Sequence, residues 1–215
     1  TCPAYICKVV PNSIILSKNK VNYIDSSKRH FIPSPQNWDK DISKLSKLSI
    51  ITPYFGYSVE THECIKQIKK NNRNSLIMYD LCQGYLCPDD KKNELDVDVF
   101  MYSMGISKQF STIFGGFLGF NDKEIYLKVK NTRSEIFKKN HLMLDFYKFF
   151  FAILYKAGYS KSFAPVTEFL DKKTNFLNFF KKTYFSYESI ELPFDGLFHL
   201  SNFQSSLGRK NIWLI

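Results

Sequence analysis

The chain has 215 residues, 44% of them hydrophobic and 17% aromatic, enough to bury one sizeable core and too many for a disordered tail. Its formal charge of +10, from 30 Lys and Arg against 20 Asp and Glu, favours an anionic partner without naming one. Five cysteines at irregular spacing, Cys2, Cys7, Cys64, Cys82 and Cys87, exclude the paired framework of a small secreted domain and read as free thiols of an intracellular protein.

Near the start, Ser13 to Asp25 reads as a pair of strands, and Trp38 to Ser46 as a short helix. From Ser49 to Phe120 short apolar runs alternate with helical patterns, and Gly, Asn and Asp stand at the switches. Leu48 to Pro53 reads as a strand buried on both faces, and Thr61 to Lys70 as a helix with Cys64, Ile65 and Ile68 on one side. Three further strands follow: Ser75 to Asp80, Val97 to Ser103 and Gly115 to Phe120. This alternation predicts an α/β fold, a mostly parallel sheet flanked by helices.

After Phe120 the composition shifts. Residues 123–182 hold thirteen Lys and Arg against five Asp and Glu, an excess of eight positive charges, and are rich in Phe and Tyr. Ile136, Phe137, Leu144, Tyr147, Phe151 and Leu154 recur at helical intervals, with Lys138, Lys139, Lys148 and Lys156 between them, so the stretch reads as one or two amphipathic helices with a solvated lysine face. Its uncharged run from Phe149 to Tyr155 is far short of the roughly 20 residues that span a bilayer. No basic segment followed by an apolar one opens the chain, so no signal peptide is expected.

In open α/β sheets ligands sit beyond the carboxyl ends of the parallel strands. Here those ends carry Asp80 and Gln83, then Ser103 and Lys108, and the turn into the last strand carries Gly115 and Gly116. A carboxylate, an amide, a hydroxyl, an amine and a glycine pair on one rim suit pyridoxal phosphate. The amine would form the Schiff base, the carboxylate would keep the ring nitrogen protonated, and hydroxyls with backbone amides would hold the phosphate. For metal the case is thin: Cys82 and Cys87 form a lone C-x4-C, and His62 and Cys64 point to different faces of their helix. No metal site is expected.

The stretches DLCQG, DVDVFMYSMGISKQF and GGFLGFND resemble the DegT/DnrJ/StrS family of fold-type-I, pyridoxal-phosphate-dependent nucleotide-sugar aminotransferases. Thr1 to Tyr5 resembles that family's Pro-x-Tyr segment, Val21 to Asp25 its strand ending in Asp, Ile50 to Gly56 its strand before the cofactor aspartate, and Leu200 to Gly208 its Met-Ser-x-x-Gln-Ala-Ala-x-Gly helix. The resemblance implies that Lys108 binds the cofactor covalently and shuttles the proton, that Asp80 pairs with the pyridinium nitrogen, and that Gln83 contacts the phenolic oxygen. It also implies that Ser103 binds the phosphate and that Gly115 and Gly116 allow the tight turn behind the lysine loop. Two departures stand out: Ile113-Phe114 replaces the Gly-Glu before the glycine pair, and Leu197-Phe198-His199 replaces an Asn-x-Arg whose asparagine reaches a neighbouring subunit.

The expectation is therefore a single large domain over residues 1–215, incomplete at both ends, with a basic aromatic helical insert at 123–182. Its activity would be transamination of a nucleotide-linked keto sugar in polysaccharide or glycan precursor biosynthesis, from an amino-acid donor, in a cytoplasmic homodimer that binds no nucleic acid. A second reading, of a different class, is a non-catalytic relic of the fold whose basic aromatic insert binds the inner face of a membrane or another anionic partner.

Overall fold

The computed structural model describes residues 1–38, 45–54, 60–83, 96–108, 111–158, 160–163, 165–166, 168–169, 190 and 196–212. They belong to two compact units: Thr1–Ser103 with Gly116–Thr132, and Met104–Gly115 with Arg133–Ile215.

In the first unit, β1 (Cys2–Pro3) and β2 (Tyr23–Ile24) form a short parallel pair. Between them runs α1 (Val9–Leu16), where the sequence pattern predicts a strand. The β-branched run is overridden at both ends of the helix. Pro11 falls in the first turn, where a missing N–H costs nothing. At the other end Lys18 takes a left-handed φ of 60°, its N–H donates to the Ile15 carbonyl, and the Asn19 N–H donates to the Ile14 carbonyl, the paired bonds of a Schellman cap. Of the expected helix at Trp38 to Ser46, a 3-10 turn covers Pro35–Trp38, and residues 39–44 lie outside the described residues.

The main sheet has the order β3 (Leu48–Ile51), β4 (Leu76–Asp80), β5 (Val99–Ser103), β6 (Gly116–Phe120). The first three strands are parallel and β6 runs antiparallel to β5, so the mostly parallel sheet of the sequence pattern is present. Helix α2 (Thr61–Asn71) makes the crossover from β3 to β4. Its Cys64, Ile65 and Ile68, at the expected spacing, pack with Ile51, Ile77, Tyr79 and Val97 in one buried cluster. Each such aliphatic side chain, fully buried, contributes about 1.5–3 kcal/mol. The helix ends where the Asn72 N–H donates to the Ile68 carbonyl and the Asn72 amide turns to the Ser46 carbonyl. Asp98 then ties strand starts together, accepting from the Ile77 N–H at 2.7 Å and from Lys69 Nζ at 3.4 Å.

Beyond β6, Asp122 caps α3 (Lys123–Ile136) by accepting the Glu124 and Ile125 N–H groups. The second unit holds α4 (Leu142–Gly158) and α5 (Asn202–Ile212). Two helices thus occupy the first part of the basic stretch, and residues 170–182 lie outside the described residues. One expectation fails here. Lys148, read as part of a solvated face, is buried, because it follows Leu144 by one helical turn on the inner side of α4.

Candidate active site

Side chains alternate across a strand, and that alternation sorts the sheet. Ile51, Tyr79 and Phe100 are cross-strand neighbours whose cluster includes α2, so they mark the α2 face. Asp80 and its partner Met101 point to the other face, and Ser103, two residues beyond Met101, shares it. Thr52, one residue past β3, continues the same alternation next to Asp80. The carboxyl ends of three adjacent parallel strands therefore present Thr52, Asp80 and Ser103 on one face.

Asp80 is 3% exposed, deep for a carboxylate, and one of its oxygens accepts the Cys82 N–H at 2.9 Å. Thr52 is buried as well, and its hydroxyl has no hydrogen-bond partner among the described atoms. A buried hydroxyl left without a partner is uncommon and marks a place where a ligand atom can serve. Tyr54 belongs to this neighbourhood: burial pushes its phenol well above the usual range, with the Asp80 charge adding. Its hydroxyl donates to the Tyr5 carbonyl, and the Tyr5 and Tyr54 rings lie 5.3 Å apart. Gln83, in the turn after β4, is exposed.

Ser103 pairs in register with Gly116, the first residue of β6. A Cβ at Gly116 would lie 2.6 Å from the Tyr102 carbonyl oxygen, so only glycine lets β6 start this close to β5.

The amine and the other glycine belong to the second unit. Its segment Met104–Gly115 is a loop closed at the neck, where the Met104 N–H donates to the Gly115 carbonyl and the Thr112 N–H to the Met104 carbonyl. Lys108 ends a turn within it, its N–H donating to the Gly105 carbonyl at 2.9 Å, and is half-buried. Gly115 has a φ of 123°, which a residue with a Cβ rarely adopts. The segment Leu197-Phe198-His199 is bound to Lys138 by backbone bonds on both sides, and His199 Nδ1 lies 3.1 Å from Arg133.

The structure thus brings Asp80, Ser103 and Gly116 together on one rim within the first unit, and places Lys108 five residues beyond Ser103 in the loop between β5 and β6. Sequence reasoning missed Thr52 and Tyr54. A signal existed for Thr52, a hydroxyl at the end of the LSIIT run, but threonine is too common a strand residue to single out.

No family model matches the sequence, and no curated protein matches it. Solved structures match its fold. An aminotransferase from Streptoalloteichus hindustanus aligns with a TM-score of 0.51 at 18% identity, over 64% of this chain and 37% of the other. A sugar aminotransferase from Micromonospora echinospora gives 0.51 at 17% identity over 60% and 36%. A protein from Streptococcus pneumoniae described as a sugar aminotransferase, in its PMP-form, gives 0.53 at 15% identity over 66% and 40%. The chain spans well under half the length of these proteins, and at such identities the likeness is one of fold.

Proposed function

We propose that this chain is the central part of the large domain of a pyridoxal-phosphate-dependent aminotransferase of the DegT/DnrJ/StrS type, acting on a nucleotide-linked keto sugar with an amino acid as nitrogen donor. The observation that carries the reading is the buried Asp80 at a parallel strand end, sharing its face with Thr52 and Ser103, with Lys108 in the connection that follows Ser103. The fold neighbours, sugar aminotransferases with one in a PMP-form, point the same way.

The donor set fits the group. When bound, pyridoxal phosphate supplies an electron sink through which nitrogen passes from an amino acid to a keto carbon. Asp80, desolvated and oriented by the Cys82 N–H, would hold a proton on a cationic ring nitrogen through a charge-assisted bond that an amide could not match. Thr52 and Ser103 offer hydroxyls along the same rim. Lys108 Nζ would supply the amine and move the proton, and the turn from Gly105 to Lys108 sets where its backbone presents that side chain. Gln83, in the turn after Asp80, contributes an amide at the exposed edge.

The test is to incubate the purified chain with pyridoxal phosphate and reduce it with borohydride. Fixation concentrated on the peptide containing Lys108, and weakened by Asp80→Asn, is expected. Label spread in proportion over the other lysines overturns the assignment.

A second reading has its own observation. On α4, Leu142, Met143, Phe146 and Phe149 are exposed, and Leu142, Phe146 and Phe149 line, with Asp145 and Phe203, an open groove of about 290 Å³. Exposed Lys138, Lys139, Lys156 and Lys161 belong to the same unit. Aromatic and basic groups together suit an anionic membrane surface. Among the described residues no helix is long and apolar enough to cross a membrane, so such contact would be peripheral.

A further inference from the structure

We infer that Gln204, backed by the buried amine of Lys148, is a positioning residue that fixes the Lys108-bearing loop Met104–Gly115. The inference rests on the role proposed for Lys108.

Gln204 is fully buried, and all four hydrogen-bonding positions of its amide are used. Nε2 donates to the Thr112 carbonyl at 2.9 Å and to the Phe114 carbonyl at 3.0 Å. Oε1 accepts from Lys148 Nζ at 2.8 Å and from the Ser201 N–H at 3.3 Å. The orientation is forced. An ammonium and a backbone N–H can only donate, two carbonyls can only accept, and a flipped amide would mismatch all four.

Part of this is a reciprocal N-cap of α5: Ser201 Oγ accepts the Gln204 N–H while Oε1 takes the Ser201 N–H. The cap does not need Nε2. Both of its hydrogens go to the descending limb of the Lys108 loop, whose neck closes between Met104, Thr112 and Gly115. The approach is close because Gly208 has no side chain: a Cβ there would lie 2.7 Å from Thr112 Cγ2. A Cβ at Gly115 would likewise lie 2.8 Å from Leu200 Cδ2. The Phe114 ring, 4.8 Å from that of Phe151 on α4, anchors the same limb. Lys148 then completes a chain that runs from the inner side of α4, through Gln204, to the loop that bears the amine. A buried ammonium that donates to Oε1 polarises the amide and strengthens its own donors.

The decisive variant is Gln204→Glu, which keeps shape and acceptors, and so keeps the bonds from Lys148 and Ser201, but turns an oxygen towards two carbonyl oxygens. Hydrogen–deuterium exchange on the full chain should show the peptide covering residues 104–116 exchanging about tenfold faster, the scale of one buried polar partner lost, with α2 and β4 unchanged. Borohydride fixation of pyridoxal phosphate on Lys108 should fall about tenfold relative to total lysine labelling. Lys148→Met, which removes one partner of Oε1, should raise exchange in 104–116 by about threefold and is the deciding variant if the glutamate variant does not fold. Ser201→Ala weakens only the cap and should leave that peptide as it was. Unchanged exchange in Gln204→Glu, or an equal opening in Ser201→Ala, overturns the latch. If the unsubstituted chain fixes no cofactor on Lys108, the proposed function fails, and the exchange comparison by itself decides whether Gln204 holds the loop.

Discussion

The sheet β3 to β6 and helix α4 draw on the same apolar and aromatic residues and use them in opposite ways. On β4, Ile77 is fully buried and Tyr79 nearly so, both against α2. On α4, Leu144 is buried but Leu142 and Met143 are more than three-quarters exposed, and Phe146 is 71% exposed. Hydrophobicity alone therefore does not tell core from surface in this chain. What separates the two regions is whether a second element's apolar face meets the first, as α2 meets the sheet.

The sharpest way to test that contrast is to truncate one residue in each. Ile77→Ala leaves a cavity between the sheet and α2 and should cost about 2–5 kcal/mol, read as a lower urea midpoint at unchanged slope. A loss no greater than that of a surface substitution would mean that the sheet is not the stable centre of the first unit.

Next in size is Gly116→Ala. The new methyl group meets the Tyr102 carbonyl, a backbone atom that cannot step aside without moving β5, so a loss of about 1–3 kcal/mol is expected. Gly119→Ala, further along β6, has 3.7 Å to its nearest neighbour and serves as the tolerant control. Equal effects at the two glycines would break the claim that the rim at Ser103 requires close strand approach.

The sheet's core also sets a pH dependence. Burial, with the Glu60 and Glu63 carboxylates adding, pushes the Cys64 thiol to about 12 from an ordinary value near 9. Between those values the unfolded chain has lost the proton and the folded chain keeps it. The stabilisation from the neutral buried thiol is therefore whole below pH 9 and declines as the pH rises towards 12, by about 1.4 kcal/mol per unit. Tyr79 and Tyr102 are pushed up by burial too and act in the same direction. Unfolding free energies measured from about pH 8 to about pH 10.5 should fall, and Cys64→Ala should flatten the slope. A slope that the alanine leaves intact would place the titration elsewhere.

The sheet was readable because short apolar runs ending in Asp80 and Ser103, and the 64-65-68 spacing of α2, agree with one another across levels. Helix α1 was not, because Val, Ile and Ile at strand-like density hide a stop made by one left-handed residue, Lys18, which no side-chain pattern announces. The candidate site was legible as a set of residue types at strand ends. Its depth was not: nothing in DLCQ says that Asp80 is buried or that Thr52 lies beside it without a partner. Lys148 shows the same limit from the other side, since a lysine between Tyr147 and Phe149 reads as solvated until Gln204, 56 residues away, is known to accept from it.

The smallest effect on stability belongs to α4, and there the comparison becomes functional. Phe146→Ser removes an exposed ring from a groove edge, so the unfolding free energy should move by no more than about 0.5 kcal/mol, against several for Ile77→Ala. If the groove is only surface, nothing else should change. If it meets an anionic bilayer, the unsubstituted chain should sediment with vesicles of phosphatidylserine and phosphatidylcholine at low salt, since each basic residue near such a surface contributes about 1 kcal/mol. Raising the ionic strength should release it as the Debye length shortens. Phe146→Ser should then weaken binding at every salt concentration, because it removes apolar contact and leaves Lys138, Lys139, Lys156 and Lys161 in place. Binding that responds to salt but not to Phe146 would assign the attraction to the lysines alone, and no binding at low salt would leave α4 without a membrane role.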